Sequence, residues 1–267
     1  MSQYYKPRRE RNLFDPASHE PFRLSRSRLE LFMSCPRCFY MDRRLGTDRP
    51  PGFPFSLNSA VDTLLKKEFD IHRASGTAHP LMKTYGIDAV PFQHEQMDEW
   101  RDSLRHGITY LHPETNFFFT GGVDDVWARP VKSGKVGAKQ FHGVKSDQEL
   151  IIVDYKATAK DGEVNLDAAW QIGYKRQMEM YQWLFRKNGF KVSDTGYFVY
   201  CNGRSDRKAF DGKLEFDITL LPYIGDDAWV SDTLIAARDC LMADKLPAPS
   251  TECDYCAYRA VARDLEK

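Results

Sequence analysis

Leu150-Ile151-Ile152-Val153-Asp154-Tyr155-Lys156 is a greasy run that ends in a charged pair. Four consecutive apolar residues, mostly β-branched, predict a strand buried on both faces. Strand side chains alternate, so Asp154 and Lys156 project to one side and Tyr155 to the other. An acid and an amine at the end of a buried strand are expensive to desolvate unless something charged sits between them. A divalent metal and a phosphate would meet that condition.

Working outward, helix and strand signals alternate. Downstream, a helix is predicted from about Leu166 to Lys187, ended by Asn188-Gly189. Strands at 193–201 and 213–221 and a helix over 227–242 follow, before Pro247 and Pro249 break the chain. Upstream, Phe117 to Trp127 reads as one strand bent at Gly121 and Gly122. Gln96 to Leu111 reads as a helix, and 74–93 as loop. Asn58 or Ser59 caps a helix through Arg73 with Val61, Leu64, Leu65 and Phe69 on one face. A Pro-rich loop covers 47–56, and Ser25 caps a helix from Arg26 to about Phe32. Residues 1–22 are irregular. The fold class is therefore α/β, a small mixed sheet flanked by helices.

The chain of 267 residues is 42% hydrophobic and 28% charged, an ordinary globular composition. No apolar stretch nears the roughly 20 residues that span a bilayer, and the N-terminus lacks a signal peptide's apolar core. A soluble, cytoplasmic protein with no membrane partner is the expectation. The zero net charge hides an asymmetry: residues 1–50 carry 11 Lys or Arg against 6 Asp or Glu. A basic start beside an acidic remainder suits a protein that meets phosphate and holds cations, or one with a solvated basic tail. Lys132, Lys135, Lys139 and Lys145, between the two strands that bear the acids, allow the same two readings. The seven histidines show no metal-ligand spacing, and most are expected on the surface or in loops. No Gly-rich phosphate loop or helicase motif is present, so this stretch is expected to carry no ATP motor of its own.

Asp124, in Gly121-Gly122-Val123-Asp124-Asp125-Val126, joins Asp154 and Lys156 in a set of two acids and a lysine. If its strand pairs beside 150–156, both carboxylates converge on one ion. Hard oxygen ligands suit Mg²⁺ or Mn²⁺, and Lys156 would orient the attacking water or neutralise the phosphate. On the next helix Tyr174, Gln177 and Tyr181 share one face.

This set resembles the PD-(D/E)xK nuclease superfamily, and within it the RecB-like branch that includes CRISPR-adaptation exonucleases. The second motif of that branch, Gly-x-(Ile/Val)-Asp-x-Val, matches Gly121 to Val126. The third, Asp-(Tyr/Phe)-Lys-(Thr/Ala), matches Asp154 to Ala157, and the fourth, Tyr-x-x-Gln-x-x-x-Tyr, matches Tyr174, Gln177 and Tyr181. The resemblance implies a restriction-endonuclease-like core and a metal-dependent DNA exonuclease that leaves 5′-phosphate ends. It gives Asp124, rather than Asp125, Asp154 and the Val153 carbonyl the metal, with Lys156, Gln177 and Tyr181 in the catalytic set and Tyr174 toward DNA. The branch's early histidine ligand is replaced by Asp62, which would either join the metal or complement a helix dipole. Residues 23–267 would form one nuclease domain, its core about 57–223.

Two Cys-x-x-Cys pairs, Cys35/Cys38 and Cys253/Cys256, stand near opposite ends of the chain. Paired spacing in a reducing compartment favours a metal over disulfides. The branch often carries a [4Fe–4S] cluster, with its first cysteine in Cys-Pro-Arg-x-x-Tyr, matched by Cys35 to Tyr40. Its last ligand would fall at 262, which is Ala262, so Cys38 is the natural replacement. Four thiolates suit [4Fe–4S], the reading the resemblance favours, or Zn²⁺ as the alternative. The site segments are about 30–45 and 245–262, and Arg37 and Tyr40 would either line a single-strand path by stacking and charge or pack beside the cysteine site; the DNA partner would be single-stranded or the end of a duplex. Cys201 and Cys240 read as buried apolar side chains. Two alternatives remain open: a structure-specific or restriction-like endonuclease working with a helicase or another DNA-processing partner, and a non-catalytic nucleic-acid-binding subunit. RNA is a third substrate reading.

Overall fold

The computed structural model describes residues 8–50, 52, 56–130 and 148–267. The lysine-bearing connection of Lys132, Lys135, Lys139 and Lys145 lies outside the described residues. In chain order the elements are β1 (Phe22–Ser25), α1 (Arg26–Ser34), α2 (Pro36–Arg43), α3 (Ser56–Ser75), α4 (Pro80–Thr84) and β2 (Val90–Pro91). Then come α5 (Met97–Arg101), β3 (Ile108–His112), β4 (Phe117–Gly121), β5 (Asp125–Pro130) and β6 (Gln148–Thr158). A 3-10 turn (Ala169–Gln171) leads into α6 (Ile172–Lys187), followed by β7 (Thr195–Gly203), β8 (Phe216–Ile224), α7 (Trp229–Met242) and α8 (Asp254–Leu265).

These elements form two compact units. Among the described residues, the first takes 8–50, 52, 109–120 and 228–267, and the second takes 56–108, 121–130 and 148–227.

The second unit is built on a five-stranded sheet of order β2-β5-β6-β7-β8. Its central strand is β6, antiparallel to β5 and parallel to β7. Ile151, Val153 and Tyr155 point to one face, into a core with Leu65, Phe69, Met82, Trp127, Val199 and Leu220. Leu150, Ile152 and Asp154 point to the other face, over which α6 packs. Burying each aliphatic side chain of this strand contributes about 1.5–3 kcal/mol, which fixes the register that delivers Asp154 and Lys156. Gly196 on β7 lets α6 close in, since a Cβ there would meet Met178 Sδ at 2.4 Å.

The first unit holds a three-stranded sheet, β1-β4-β3, with β1 parallel to β4. Phe14, Phe22 and Phe117 pack their rings at 5.3–6.1 Å between centroids. Helices α1, α2 and α7 bury Leu29, Phe39, Val230 and Leu234. Asp42, fully buried, is held by Arg9, Arg28 and Arg43. Burial alone would push its carboxyl up, but the hydrogen bonds and charge of Arg43 outweigh that and keep it below the usual range.

Several local expectations are corrected. The span from Gln96 to Leu111 is not one helix: α5 stops at Arg101, and β3 starts at Ile108. Asp102 accepts the N–H groups of Leu104 and Arg105 in a turn, and Gly107 adopts φ +76°. This local bonding outcompetes helix continuation. Phe117 to Trp127 is two strands in two sheets rather than one bent strand. The 74–93 stretch holds the short α4 and β2, and α8 follows the last cysteine pair. The helix expected from Leu166 starts at Ile172, because the Gln171 side chain bonds Ala168 N–H and Asn165 O and holds the approach open. Leu64 is exposed, while Leu65 and Phe69 are buried. His79 and His112 are buried, partnered with Glu68 and Thr115.

Candidate active site and thiolate site

β5 and β6 meet with Asp125 opposite Val153, which sets Asp124 just beyond the ladder, beside Asp154 and Tyr155 within β6. Asp124 Oδ2 accepts the Tyr155 N–H at 2.8 Å, so one carboxylate is fixed by the backbone of the strand that carries the other. The preceding glycines permit this approach. A Cβ on Gly121 would stand 2.7 Å from Tyr181 Cε1, and one on Gly122 would stand 2.6 Å from Ser103 Cα.

Asp154 is wholly buried. Its Oδ1 accepts from Gln177 Nε2 at 2.7 Å. Its Oδ2 is ion-paired with the Lys156 ammonium and has no other partner among the described residues. Gln177 Nε2 also bonds the Tyr181 hydroxyl at 3.2 Å. Lys156 Nζ lies 4.6 Å from the centre of the Tyr174 ring, a cation–π contact. The sequence-derived set of Asp124, Asp154, Lys156, Gln177, Tyr181 and Tyr174 therefore comes together in one unit, with Val153 in the same strand.

Asp62 is placed differently. It pairs with Lys66 at 2.9 Å one turn along α3, and Lys66 Nζ stands 3.8 Å from Asp124 Oδ1. A lysine thus lies between Asp62 and the acid pair, a neighbour that sequence spacing could have flagged from its i,i+4 position.

The electrostatics suit a cation. Burial and then the Asp154 charge push the Asp124 carboxyl up to about 6, against the opposing pull of Lys156 and Lys66. Burial pulls the Lys156 ammonium down, but Asp154 and Asp124 outweigh it and hold the amine above its ordinary value. A buried carboxylate oxygen with only an ammonium for company, beside a second carboxylate, fits a hard divalent ion.

The neighbouring Asp125 has another role. Fully buried, it is ion-paired with Arg73 and with Arg101 at 3.0 Å, and accepts from the Tyr155 hydroxyl and the Val126 N–H at 2.8 Å each. Arg101 also donates to the Asp124 carbonyl at 3.1 Å, and Asp70 bridges both arginines. Asp125 is saturated, which leaves Asp124 as the acid facing the site.

In the first unit the four cysteines are buried, and their sulfurs all lie within 4.8 Å of one another. Cys35 and Cys253 precede α2 and α8, and Cys38 and Cys256 sit in the first turns. The set joins the N- and C-terminal segments. Burial pushes the Cys35 thiol up, but backbone N–H groups of Cys38 and Ser250 outweigh it and bring it to about 6. Burial pushes Cys38 and Cys256 up, so a cation that took all four as thiolates would displace their protons on binding.

Arg37 is half-buried, donates to the Pro247 carbonyl at 2.8 Å, and lines a groove of about 760 Å³ with Arg49, Arg259, Tyr255 and Tyr258. Tyr40 is buried, and its hydroxyl donates to the Ala243 carbonyl at 2.9 Å, so its ring packs the interior and presents no face to a base. Cys201 lies in the sheet core as expected, whereas Cys240 is only partly buried, its thiol directed at the Pro36 carbonyl at 3.9 Å.

A family model described as the PD-(D/E)XK nuclease superfamily matches residues 143–261. This stretch takes in Asp154, Lys156, Gln177, Tyr181, Cys253 and Cys256, and the superfamily's activity is that of metal-dependent nucleases. No curated protein matches the chain. No helix among the described residues is long and apolar enough to cross a membrane.

Proposed function

We propose, taking 143–261 as a PD-(D/E)XK nuclease domain, that the chain hydrolyses DNA phosphodiester bonds with Mg²⁺ or Mn²⁺, as an exonuclease of the RecB-like type. The observation that carries this reading is the joining of Asp124 to the Asp154 strand by the Tyr155 N–H, with Lys156 ion-paired to Asp154 and held charged by both acids.

Asp124 and Asp154 would hold the ion with the Val153 carbonyl, and Asp62 is a candidate to join them. The ion supplies Lewis acidity and a water of lowered pKa. Lys156, kept charged by the two carboxylates, orients the attacking water and offsets charge on the phosphate in the transition state. Gln177 holds Asp154 in its rotamer, and Tyr181 holds Gln177. Trp170, two-thirds exposed, packs edge-on against Tyr174 at 5.4 Å, giving an aromatic rim beside Lys156 on which an unpaired base can stack. That rim favours a frayed end or a single strand over an intact duplex, and a cytoplasmic setting supplies both ions. A partner helicase would be the source of such strands.

The test is incubation with Mn²⁺ or Mg²⁺ and end-labelled linear single- and double-stranded DNA beside a closed circle. Cleavage of the linear strands with the circle intact is the expected result. Cutting of the circle would make the enzyme an endonuclease, and no cleavage of any substrate would reduce it to a binding subunit.

A pH dependence follows from Asp124. Between about pH 4 and 6 the metal-free folded chain keeps a proton on Asp124 that the unfolded chain has lost. The stability of the metal-free protein therefore falls as pH rises through that window. Metal-bound protein carries Asp124 ionised, so below pH 6 the ion must displace a proton. Apparent Mn²⁺ affinity is expected to fall about tenfold per pH unit there. Thermal shifts with and without Mn²⁺ at pH 5 and pH 7.5 check this, and equal shifts would contradict it.

A further inference from the structure

The spacing of the four buried sulfurs discriminates between the two metal groups that four cysteines can hold. Cys38 Sγ stands 3.6 Å from Cys253 Sγ and 3.6 Å from Cys256 Sγ, and Cys35 Sγ stands 3.8 Å from Cys256 Sγ. No pair in the set exceeds 4.8 Å. A single tetrahedral ion with metal–sulfur bonds of about 2.3 Å places its thiolates about 3.8 Å apart. The thiolates of a [4Fe–4S] cubane stand roughly 6 Å apart, because four irons and four sulfides lie between them.

From this geometry we infer that Cys35, Cys38, Cys253 and Cys256 form a closed, structural Zn²⁺ site rather than an iron–sulfur site. The inference does not depend on the nuclease reading.

The backbone supports a compact ion. Each pair is a Cys-x-x-Cys turn at the start of a helix, the first cysteine at the N-cap and the second in the first turn. The two turns face each other, and the first is tied to the segment that leads into the second. Arg37 ties α2 to the Pro247 carbonyl, the Tyr40 hydroxyl ties it to the Ala243 carbonyl, and the Ser250 N–H points at Cys35 Sγ at 3.5 Å. Opening the sulfurs to cubane spacing would stretch every pair by more than about 1 Å and pull on these contacts. Charge is also accounted for. Four thiolates around Zn²⁺ leave two negative charges, and Arg49 donates to Cys253 Sγ at 3.4 Å while lying over the Tyr255 ring. All four positions are cysteine and buried, so no open coordination site remains for water or substrate. The ion's role is to fasten the N- and C-terminal segments of this unit.

The test is elemental analysis of the untagged full chain, purified anaerobically from cells grown with both iron and zinc. About one zinc per chain, iron below a tenth of that, no broad absorption near roughly 400 nm and a zinc-edge spectrum of four sulfurs at about 2.3 Å are expected. Cys38→Ser and Cys256→Ser should each lower retained zinc at least tenfold. If those variants fail to fold, the analysis of the unaltered chain decides alone. About four irons per chain with the broad band, a single iron in place of zinc, or metal-free protein with four freely titrating thiols would each overturn the inference. Metal content is read whether or not the chain cleaves DNA, so failure here is distinguishable from failure of the nuclease proposal.

Discussion

Lys156→Ala is expected to lower metal-dependent DNA cleavage by about 10³-fold or more while leaving Mn²⁺-induced stabilisation intact. The separation follows from what Lys156 touches. Its ammonium faces Asp154 Oδ2 and is held charged by both carboxylates, so it neutralises the acid pair when no cation is present. Removing it takes away the positive group nearest the phosphate, but no ligand to the ion. With the amine gone, the two acids offer the cation a more negative site, so affinity should hold or rise. Asp124→Ala removes a proposed ligand and should lose both properties. At a Mn²⁺ concentration near 100 times the dissociation constant, binding stabilises the folded state by about 2.7 kcal/mol, or roughly 5–10 °C in melting temperature. Single-turnover cleavage and thermal melts of the three proteins decide the matter. An Asp124→Ala protein that keeps the full Mn²⁺ shift would place the ion elsewhere. A Lys156→Ala protein that still cleaves within tenfold of the parent would remove the lysine from the chemistry.

The parts of this site legible in the sequence are those set by short-range periodicity. Strand alternation places Asp154 opposite Tyr155, and helical spacing places Tyr174, Gln177 and Tyr181 on one face of α6. The Cys-x-x-Cys pairs were legible for the same reason, since the spacing itself is a turn. The misread elements are those in which a side chain bonds the backbone. Between Gln96 and Leu111 the apolar pattern fits a helix until Asp102 caps the next turn and Gly107 reverses the chain. Long-range polar partners leave no local trace at all. Arg73 reaches Asp125 across 52 positions, and Arg49 reaches Cys253 across 204. Nor does a cysteine pattern state how far apart its sulfurs will stand. That distance depends on how α2 and α8 are pinned, and it separates one ion from a cluster.

The second large effect concerns Asp125, the acid next to Asp124. Asp125→Ala is expected to destabilise the protein by about 3–5 kcal/mol, the usual consequence of stranding buried charge. Asp125 is fully buried and takes Arg73, Arg101, the Tyr155 hydroxyl and the Val126 N–H. Without it, two buried guanidiniums share only Asp70, whose side chain is 44% exposed and therefore a weaker counter-charge. Asp125→Asn keeps the shape and an acceptor but loses the charge, so its cost should fall between those of alanine and the parent. Tyr155→Phe removes one hydrogen bond and should cost about 1 kcal/mol. The order Ala, then Asn, then Tyr155→Phe is the diagnostic result in urea unfolding. Because Arg101 also donates to the Asp124 carbonyl, Asp125→Ala should weaken Mn²⁺ binding even under conditions where the protein stays folded. The two adjacent acids then separate cleanly: Asp124→Ala relieves a crowded, half-buried carboxylate and should leave the metal-free fold at least as stable, whereas Asp125→Ala unpairs the arginines that hold the fold. Equal destabilisation by both substitutions would mean that the two acids share one structural role and that the assignment of the ion to Asp124 is wrong.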